Sequence, residues 1–291
     1  MKRMTIYLSM VDLFELTFML LTYLLGLGIV SYVGAGVNVI VGIMGFLVLF
    51  FARIGFGFLK ASLEGVERAG LVEVPGAADR RRGALVLPFA FFGLSAAIVL
   101  GLLFERVISA LAGAVVCSFF LVLFLATEPQ WGRAGPGYRI LLHAFVAGGL
   151  TPLAACAIQG IAAVQLLSAL TFPLVLIYLA ALIVAEFRTY AADLKTSRKS
   201  MVINLGWQNG LRVHQGLVAG TFLLVGLGPV SGLPWKLFLP AFLALPFAVV
   251  QMLWMGRIRR GGSTRWSFIV PLSKANSALL AYLLLMPLFL A

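Results

Sequence analysis

Nine long apolar segments, separated by short polar connections, occupy most of this chain of 291 residues. A helix that crosses a bilayer needs roughly 20 apolar residues. Because the lipid interior offers the backbone no hydrogen-bond partner, such segments are expected to be helices. They lie at about 13–33, 38–57, 84–104, 108–127, 139–160, 161–185, 215–232, 236–256 and 273–290. The pattern predicts an all-α polytopic membrane protein, a nine-transmembrane-helix bundle in one domain over 1–291.

Composition excludes a soluble domain. Apolar residues make up 62% of the chain and charged residues only 11%, far from the values of soluble proteins. Cys117 and Cys156 both lie in apolar segments, which indicates small buried side chains without a disulfide or metal role. Pro152 and Pro173 lie inside spans and are expected to kink them.

Basic residues are concentrated on one side of the predicted bundle. With nine spans, 20 of the 22 Lys and Arg residues fall on the side of the N-terminus, and only Arg106 and Lys236 fall on the other. Since cytoplasmic loops carry the excess of Lys and Arg, the N-terminus and the long loops are predicted to be cytoplasmic. The net charge of +12 then reflects topology and contact with membrane lipid, and no nucleic-acid partner is expected.

Two predicted cytoplasmic loops are long, at about 58–83 and 187–213, and each follows an even-numbered span. They contain half of the ten acids in the chain, with Glu186 at the edge of the second loop; these acids are Glu64, Glu67, Glu73, Asp79 and Asp193. Polar chemistry is therefore expected at this face of the membrane.

The second loop begins with the run Glu186-Phe-Arg-Thr-Tyr-Ala-Ala-Asp. If the preceding helix continues, Glu186, Thr189 and Asp193 share one face, because they are spaced i, i+3 and i+7. With the basic residues that follow them, these groups can hold a hard cation and an anionic group together. An interfacial charge cluster that only determines topology explains the same residues, and the spacing leaves both alternatives open.

This run and its continuation to Gly206 resemble the second signature of the UbiA-type membrane prenyltransferases. That signature reads approximately Asp-x-x-Asp-x-x-x-Asp-x-x-x-Gly-x-[Arg/Lys]-[Ser/Thr]-Leu-x-x-x-x-Gly. Glu186 and Asp193 match its outer acidic positions, and Lys199 with the next serine matches the basic-hydroxyl pair. Thr189 takes the middle position, where chlorophyll-synthase-like members also carry a hydroxyl residue. The nine spans and the long loops after spans two and six are similar to the family as well.

The resemblance implies a nine-helix bundle around a central cavity that opens to the membrane. In such a protein Mg²⁺ binds the diphosphate of an isoprenoid donor, and a lipophilic or aromatic acceptor captures the allylic cation; metal and basic residues stabilise the leaving group. The family pattern implies Glu186, Asp193 and Glu64 as metal ligands, and Asp193, Glu186 and Lys199 as catalytic residues. The substrate-binding residues it implies are Lys60, Arg80, Arg81, Thr189, Lys195 and Arg198.

The first signature of the family departs from the pattern here. The family carries an Asn-Asp pair and further acids at the end of span two. With Glu64 in the last acidic position, Lys60 replaces the acid before it, and Phe56-Gly57 replace the opening pair. An ammonium group repels Mg²⁺ but can contact a phosphate directly. Either the cation takes over part of the metal's role, or this half of the metal site is lost.

Four further polar residues lie at or inside the spans. Asp12 and Glu15 enter span one, where capping the helix is a simpler account than lining the cavity. His143 lies inside span five and is expected to be a packing residue, since no second His or Cys shares its face. His214 begins span seven and is expected at the membrane interface.

Two functions remain open. The first, an enzyme, is Mg²⁺-dependent transfer of an isoprenoid from a prenyl diphosphate to a lipophilic or aromatic acceptor. The second is a non-catalytic subunit that binds a quinone, pigment or lipid within a larger membrane protein complex, which the degenerate first motif favours. A transporter is disfavoured because, apart from His143, no ionisable pair is expected in the middle of the spans.

Overall fold

The computed structural model describes residues 13–69, 77–127, 137–195 and 200–290, and it describes side chains there except at 61–69 and 77–85. This described part contains no strand and has nine helices that are long and apolar enough to cross a membrane, which confirms the predicted fold class. They are α1 (Leu13–Tyr32), α2 (Val39–Ala69), α3 (Ala77–Phe104), α4 (Ala110–Thr127), α5 (Tyr138–Ile158), α6 (Val164–Lys195), α7 (Trp207–Val230), α8 (Trp235–Arg259) and α9 (Trp266–Leu290).

The structure corrects the extent of the two predicted long loops. Helix α2 continues to Ala69 and α3 begins at Ala77, so most of the first loop is helical. Helix α6 continues to Lys195, and a short helix, Met201–Leu205, precedes the start of α7 at Trp207. The polar ends of the apolar segments therefore extend as helix past the apolar boundary, because helical hydrogen bonds do not depend on hydropathy.

Proline has different consequences in α5 and α6. In α5 a π-helical turn, Val146–Leu150, lies directly before Thr151 and Pro152, where the missing N–H of proline disrupts the regular hydrogen-bond pattern. Helix α6 passes through Pro173 without a break. Both cysteines are free thiols, and Cys117 is exposed on the outside of the bundle, not buried as expected.

The buried apolar side chains of the bundle form two hydrophobic cores. One core joins α1 and α5 to α2, α3 and α4, and the other joins the same two helices to α6, α7, α8 and α9. Helices α1 and α5 therefore contribute to both cores. Helix α6 packs against α5, α7 and α9, so its end is held from several sides.

Glycines allow the backbones of the central helices to approach one another closely. A Cβ on Gly26 of α1 would lie 2.5 Å from the carbonyl oxygen of Pro152, and one on Gly148 of α5 would lie 2.8 Å from the backbone nitrogen of Val175 in α6. Membrane helices use small residues in this way because dispersion contacts drive their association. The positions of α1 and α6 on α5 thus depend on side chains of minimal size.

We expect Gly148→Ala to destabilise the protein by about 1–3 kcal/mol, because backbone atoms of α6 cannot move aside as a flexible side chain can. The matched control is Gly93→Ala in α3, where an added Cβ meets nothing within 4 Å and helix propensity improves. Thermal unfolding in detergent measures both variants. Equal melting temperatures for the two would contradict the close packing of α5 on α6.

Candidate active site

The last turns of α6 bring three of the predicted site residues together. Because α6 remains helical to Lys195, Glu186, Thr189 and Asp193 share one face. The Thr189 hydroxyl donates a hydrogen bond to the Asp193 carboxylate over 2.8 Å. Asp193 is only 6% exposed. The Thr189 hydroxyl thereby orients a largely buried carboxylate.

Glu186 holds the chain that follows α6. Its carboxylate accepts a hydrogen bond from the backbone N–H of Val202 at 3.2 Å, and the Ser200 hydroxyl accepts one from the N–H of Ile203 at 3.2 Å. Both bonds satisfy amides at the N-terminus of the short helix Met201–Leu205, as helix caps do. The short helix Met201–Leu205 is thereby held at Glu186.

The remaining predicted site residues are described only in part. Lys195 is exposed at the end of α6, and Lys60 is partly buried on α2. Arg198 and Lys199 lie outside the described residues. Three more lie on described helical backbone, but their side chains are outside the described part; these are Glu64, Arg80 and Arg81. The roles assigned to all of these residues remain predictions.

A charged cluster, Glu15, Arg53 and His143, joins α1, α2 and α5. The Glu15 carboxylate forms an ion pair with the Arg53 guanidinium, and its other oxygen lies 3.8 Å from His143 Nδ1. The three side chains are between 11% and 16% exposed. Lys60 and Arg139 lie close enough to act electrostatically on His143. Three cations therefore surround one histidine and one carboxylate at the end of the bundle where α2 ends and α5 begins.

This cluster corrects two expectations. Glu15 does more than cap α1, because its carboxylate reaches Arg53 on another helix. His143 does more than pack, because its ring lies 3.8 Å from the Glu15 carboxylate. The signal was present in the sequence: Glu15 and Arg53 each lie inside an apolar segment, and a lone charge there is costly enough to require a partner.

A second polar cluster, which consists of His214, Gln251, Ser273 and Asn276, lies between α7, α8 and α9. All four side chains are at most 2% exposed. Gln251 Nε2 lies 2.7 Å from His214 Nε2 and donates to the Ser273 hydroxyl at 2.8 Å, while the Asn276 amide donates to Gln251 Oε1 at 3.4 Å. His214 is therefore buried between helices, and its predicted position at the membrane interface stays a prediction.

Helix α6 offers two carboxylates, Glu186 and Asp193, as candidate ligands for Mg²⁺. Among the side chains that the structure describes, no group of three or more His, Cys, Asp or Glu residues is placed to hold a metal ion. Mg²⁺ is commonly held by one or two carboxylates, with substrate phosphates and water in the other positions. Each carboxylate offers about four lone-pair sites, and carboxylate oxygens are ligands of the type that Mg²⁺ prefers.

Comparison with known proteins supports the fold. No protein-family model matches the chain, and no curated protein is significantly similar to it in sequence. A solved structure of digeranylgeranylglyceryl phosphate synthase, a membrane prenyltransferase of the UbiA superfamily, is similar with a TM-score of 0.69 and 14% sequence identity, and the match covers 100% of each chain. The protein is thus an integral membrane protein whose fold is similar to that of the synthase. At this identity the similarity establishes the fold, and the chemistry has to be argued from the residues.

The ion pair between Glu15 and Arg53 provides a test of the charged cluster. Removing one partner of a largely buried pair leaves an uncompensated charge and typically costs about 3–5 kcal/mol. We expect Glu15→Leu to lower the melting temperature markedly, and Arg53→Leu to do the same. In the double variant most of the loss should be recovered, because no charge remains unpaired. Additive losses in the double variant would show that the two residues are not coupled.

Proposed function

We propose that this protein transfers an isoprenoid group from a prenyl diphosphate to a lipophilic acceptor in the membrane. The observation that carries the proposal is the arrangement of buried Asp193, its partner Thr189 and Glu186 on one face of α6. It is supported by the fold, which is similar over its full length to a membrane prenyltransferase. The resemblance of the α6 region to the second UbiA signature points to the same reaction class.

In this proposal the residues of α6 and α2 divide the binding of the diphosphate between them. Glu186 and Asp193 would hold Mg²⁺, which supplies positive charge to the leaving diphosphate when bound. Thr189 holds the Asp193 carboxylate in one orientation. Lys60 replaces an acid of the family pattern, and we infer that its ammonium contacts a phosphate directly.

Basic residues that follow α6 complete the proposed phosphate site. Lys195, Arg198 and Lys199 come within six residues of Asp193 in the sequence and would bind the same phosphates. Arg80 and Arg81 near the start of α3 would approach from the other side, as the family pattern implies. The apolar interior of the bundle excludes water, so that the allylic cation reacts with the acceptor and is not hydrolysed.

A second candidate is a non-catalytic subunit that binds a quinone, pigment or lipid. The observation that favours it is that both acids of α6 are already bonded to protein groups, Thr189 and the Val202 amide, while α2 carries Lys60 where an acid is expected. This alternative predicts a co-purifying hydrophobic molecule or protein partner. It also predicts no pyrophosphate release with any donor.

The decisive variant is Asp193→Ala, assayed by pyrophosphate release from a panel of prenyl diphosphates in the presence of Mg²⁺. We expect activity to fall about 100-fold or more, because a group that stabilises developing charge is removed. Glu105→Ala is the matched control: it also removes one carboxylate, but at the opposite end of the bundle, and it should keep wild-type activity.

Chelation of Mg²⁺ provides an independent arm of the same experiment, and activity should disappear with the metal and return when it is restored. A wild-type protein that releases no pyrophosphate from any donor, and that co-purifies with a stoichiometric lipophile, would overturn the enzyme proposal in favour of the binding subunit.

A further inference from the structure

Two buried polar atoms of the cluster between α7, α8 and α9 have no hydrogen-bond partner among the residues that the structure describes. They are His214 Nδ1 and Asn276 Oδ1. The His214 side chain is fully buried, and Asn276 is 2% exposed. Because an unpaired polar group in a protein interior is unfavourable, and buried polar groups are as a rule hydrogen-bonded, these two atoms indicate that a further molecule belongs to the cluster.

The bonds within the cluster determine which nitrogen of His214 carries the proton. Gln251 presents its NH₂ group to His214 Nε2 at 2.7 Å and to the Ser273 hydroxyl at 2.8 Å, and its Oε1 accepts from the Asn276 amide. Reversing the Gln251 amide would set its NH₂ group against that of Asn276. Since an amide NH₂ group only donates, His214 Nε2 accepts and has no proton. Nδ1 of His214 therefore carries the proton and is a donor, whereas Asn276 Oδ1 is an acceptor.

The position of the cluster restricts the size of a ligand. His214 follows the start of α7 by seven residues, Gln251 precedes the end of α8 by eight, and Ser273 follows the start of α9 by seven. Each therefore lies about 10–12 Å along its helix from that end. None of the four side chains is more than 2% exposed. A ligand with a hydrocarbon tail or a large head group would need an opening that such enclosed side chains do not offer.

Charge restricts the ligand as well. The cluster consists of a histidine, two amides and a hydroxyl, so a buried cation would receive no balancing carboxylate from these four residues. An anion could accept from the Nδ1–H of His214 but would be repelled by Asn276 Oδ1. A small neutral molecule that accepts one hydrogen bond and donates another satisfies both atoms. Water is the smallest molecule that does so.

We propose that this cluster is a binding site for buried water. A water molecule accepts a hydrogen bond from His214 Nδ1–H and donates toward Asn276 Oδ1, directly or through one further water molecule. Buried waters in proteins bond to polar groups of this kind, which have no other partner. The water joins α7 to α9 beside the direct bonds through Gln251, so that a continuous polar network holds the three helices together.

The experiment is solid-state NMR of the full-length protein in lipid bilayers, with isotope-labelled histidine. The chain contains two histidines, so the signals of His214 are identified by their loss in His214→Gln. We expect a proton on Nδ1 of His214 and none on Nε2, together with transfer of magnetisation from water to that Nδ1–H. A proton on Nε2, or no transfer from water in the wild-type protein, would overturn the proposal.

The test variant is Asn276→Leu, which removes the acceptor of the water, and transfer from water to His214 Nδ1–H should be lost. The matched control is Asn209→Leu, which removes an exposed amide of α7 outside the cluster and should leave the transfer unchanged. Ser273→Ala removes the hydroxyl proton of the cluster, so transfer that persists in this variant comes from water and not from the serine. Melting temperatures in the same lipid show whether each variant is folded.

Unchanged transfer in Asn276→Leu would contradict the proposed bond to Asn276, and equal loss in Asn276→Leu and Asn209→Leu would show a general effect of such substitutions; either result overturns the proposal. If Asn276→Leu does not fold, the wild-type and Ser273→Ala measurements still decide whether water contacts His214. The outcome is independent of prenyl transfer, because no residue of this cluster belongs to the proposed diphosphate site.

Discussion

The structure depends on one constraint: polar groups placed inside a bilayer have to find their partners within the protein. Two clusters meet this requirement in the described part of the bundle. Glu15, Arg53 and His143 connect α1, α2 and α5, while His214 and Gln251 belong to the cluster that connects α7, α8 and α9. Each cluster lies within the helices of one hydrophobic core. Polar pairing and apolar packing therefore specify the same grouping of helices.

Helix α6 carries the acidic face and contacts several other helices of the bundle. It packs against α5, which belongs to both cores, and against α7 and α9. Its end extends past the apolar boundary and carries the acidic face, and the short helix Met201–Leu205 is held by the bond from the Val202 amide to Glu186. Because Asp193 is buried and bonded to Thr189, its carboxylate is kept in one orientation, which a site for charge stabilisation requires.

The topology could be predicted from the sequence because each span is a local property of about 20 residues. The apolar segments each fall on one of the described helices; most bounds agree within three residues, and at five ends the helix continues seven to twelve residues beyond the segment. The shared face of Glu186, Thr189 and Asp193 followed from helical spacing alone. The partners of Glu15 and His214 could not be found in the same way, because a residue's neighbours on other helices depend on how those helices rotate and cross. The sequence indicated only that such residues needed partners.

The polar ends of the apolar segments were misjudged for a related reason. Hydropathy marks where a chain leaves the lipid, whereas a helix ends where its hydrogen bonds end, and these are different places in α6. The difference matters for function, since the turns between the apolar boundary and Lys195 present two chemically distinct surfaces. One surface carries Glu186 and Asp193, and the other carries Arg188, which lines a cavity with Phe14 and Trp266. A helix that stopped at the lipid boundary would have neither, so the acidic face and the Arg188 surface both depend on the same three turns of α6.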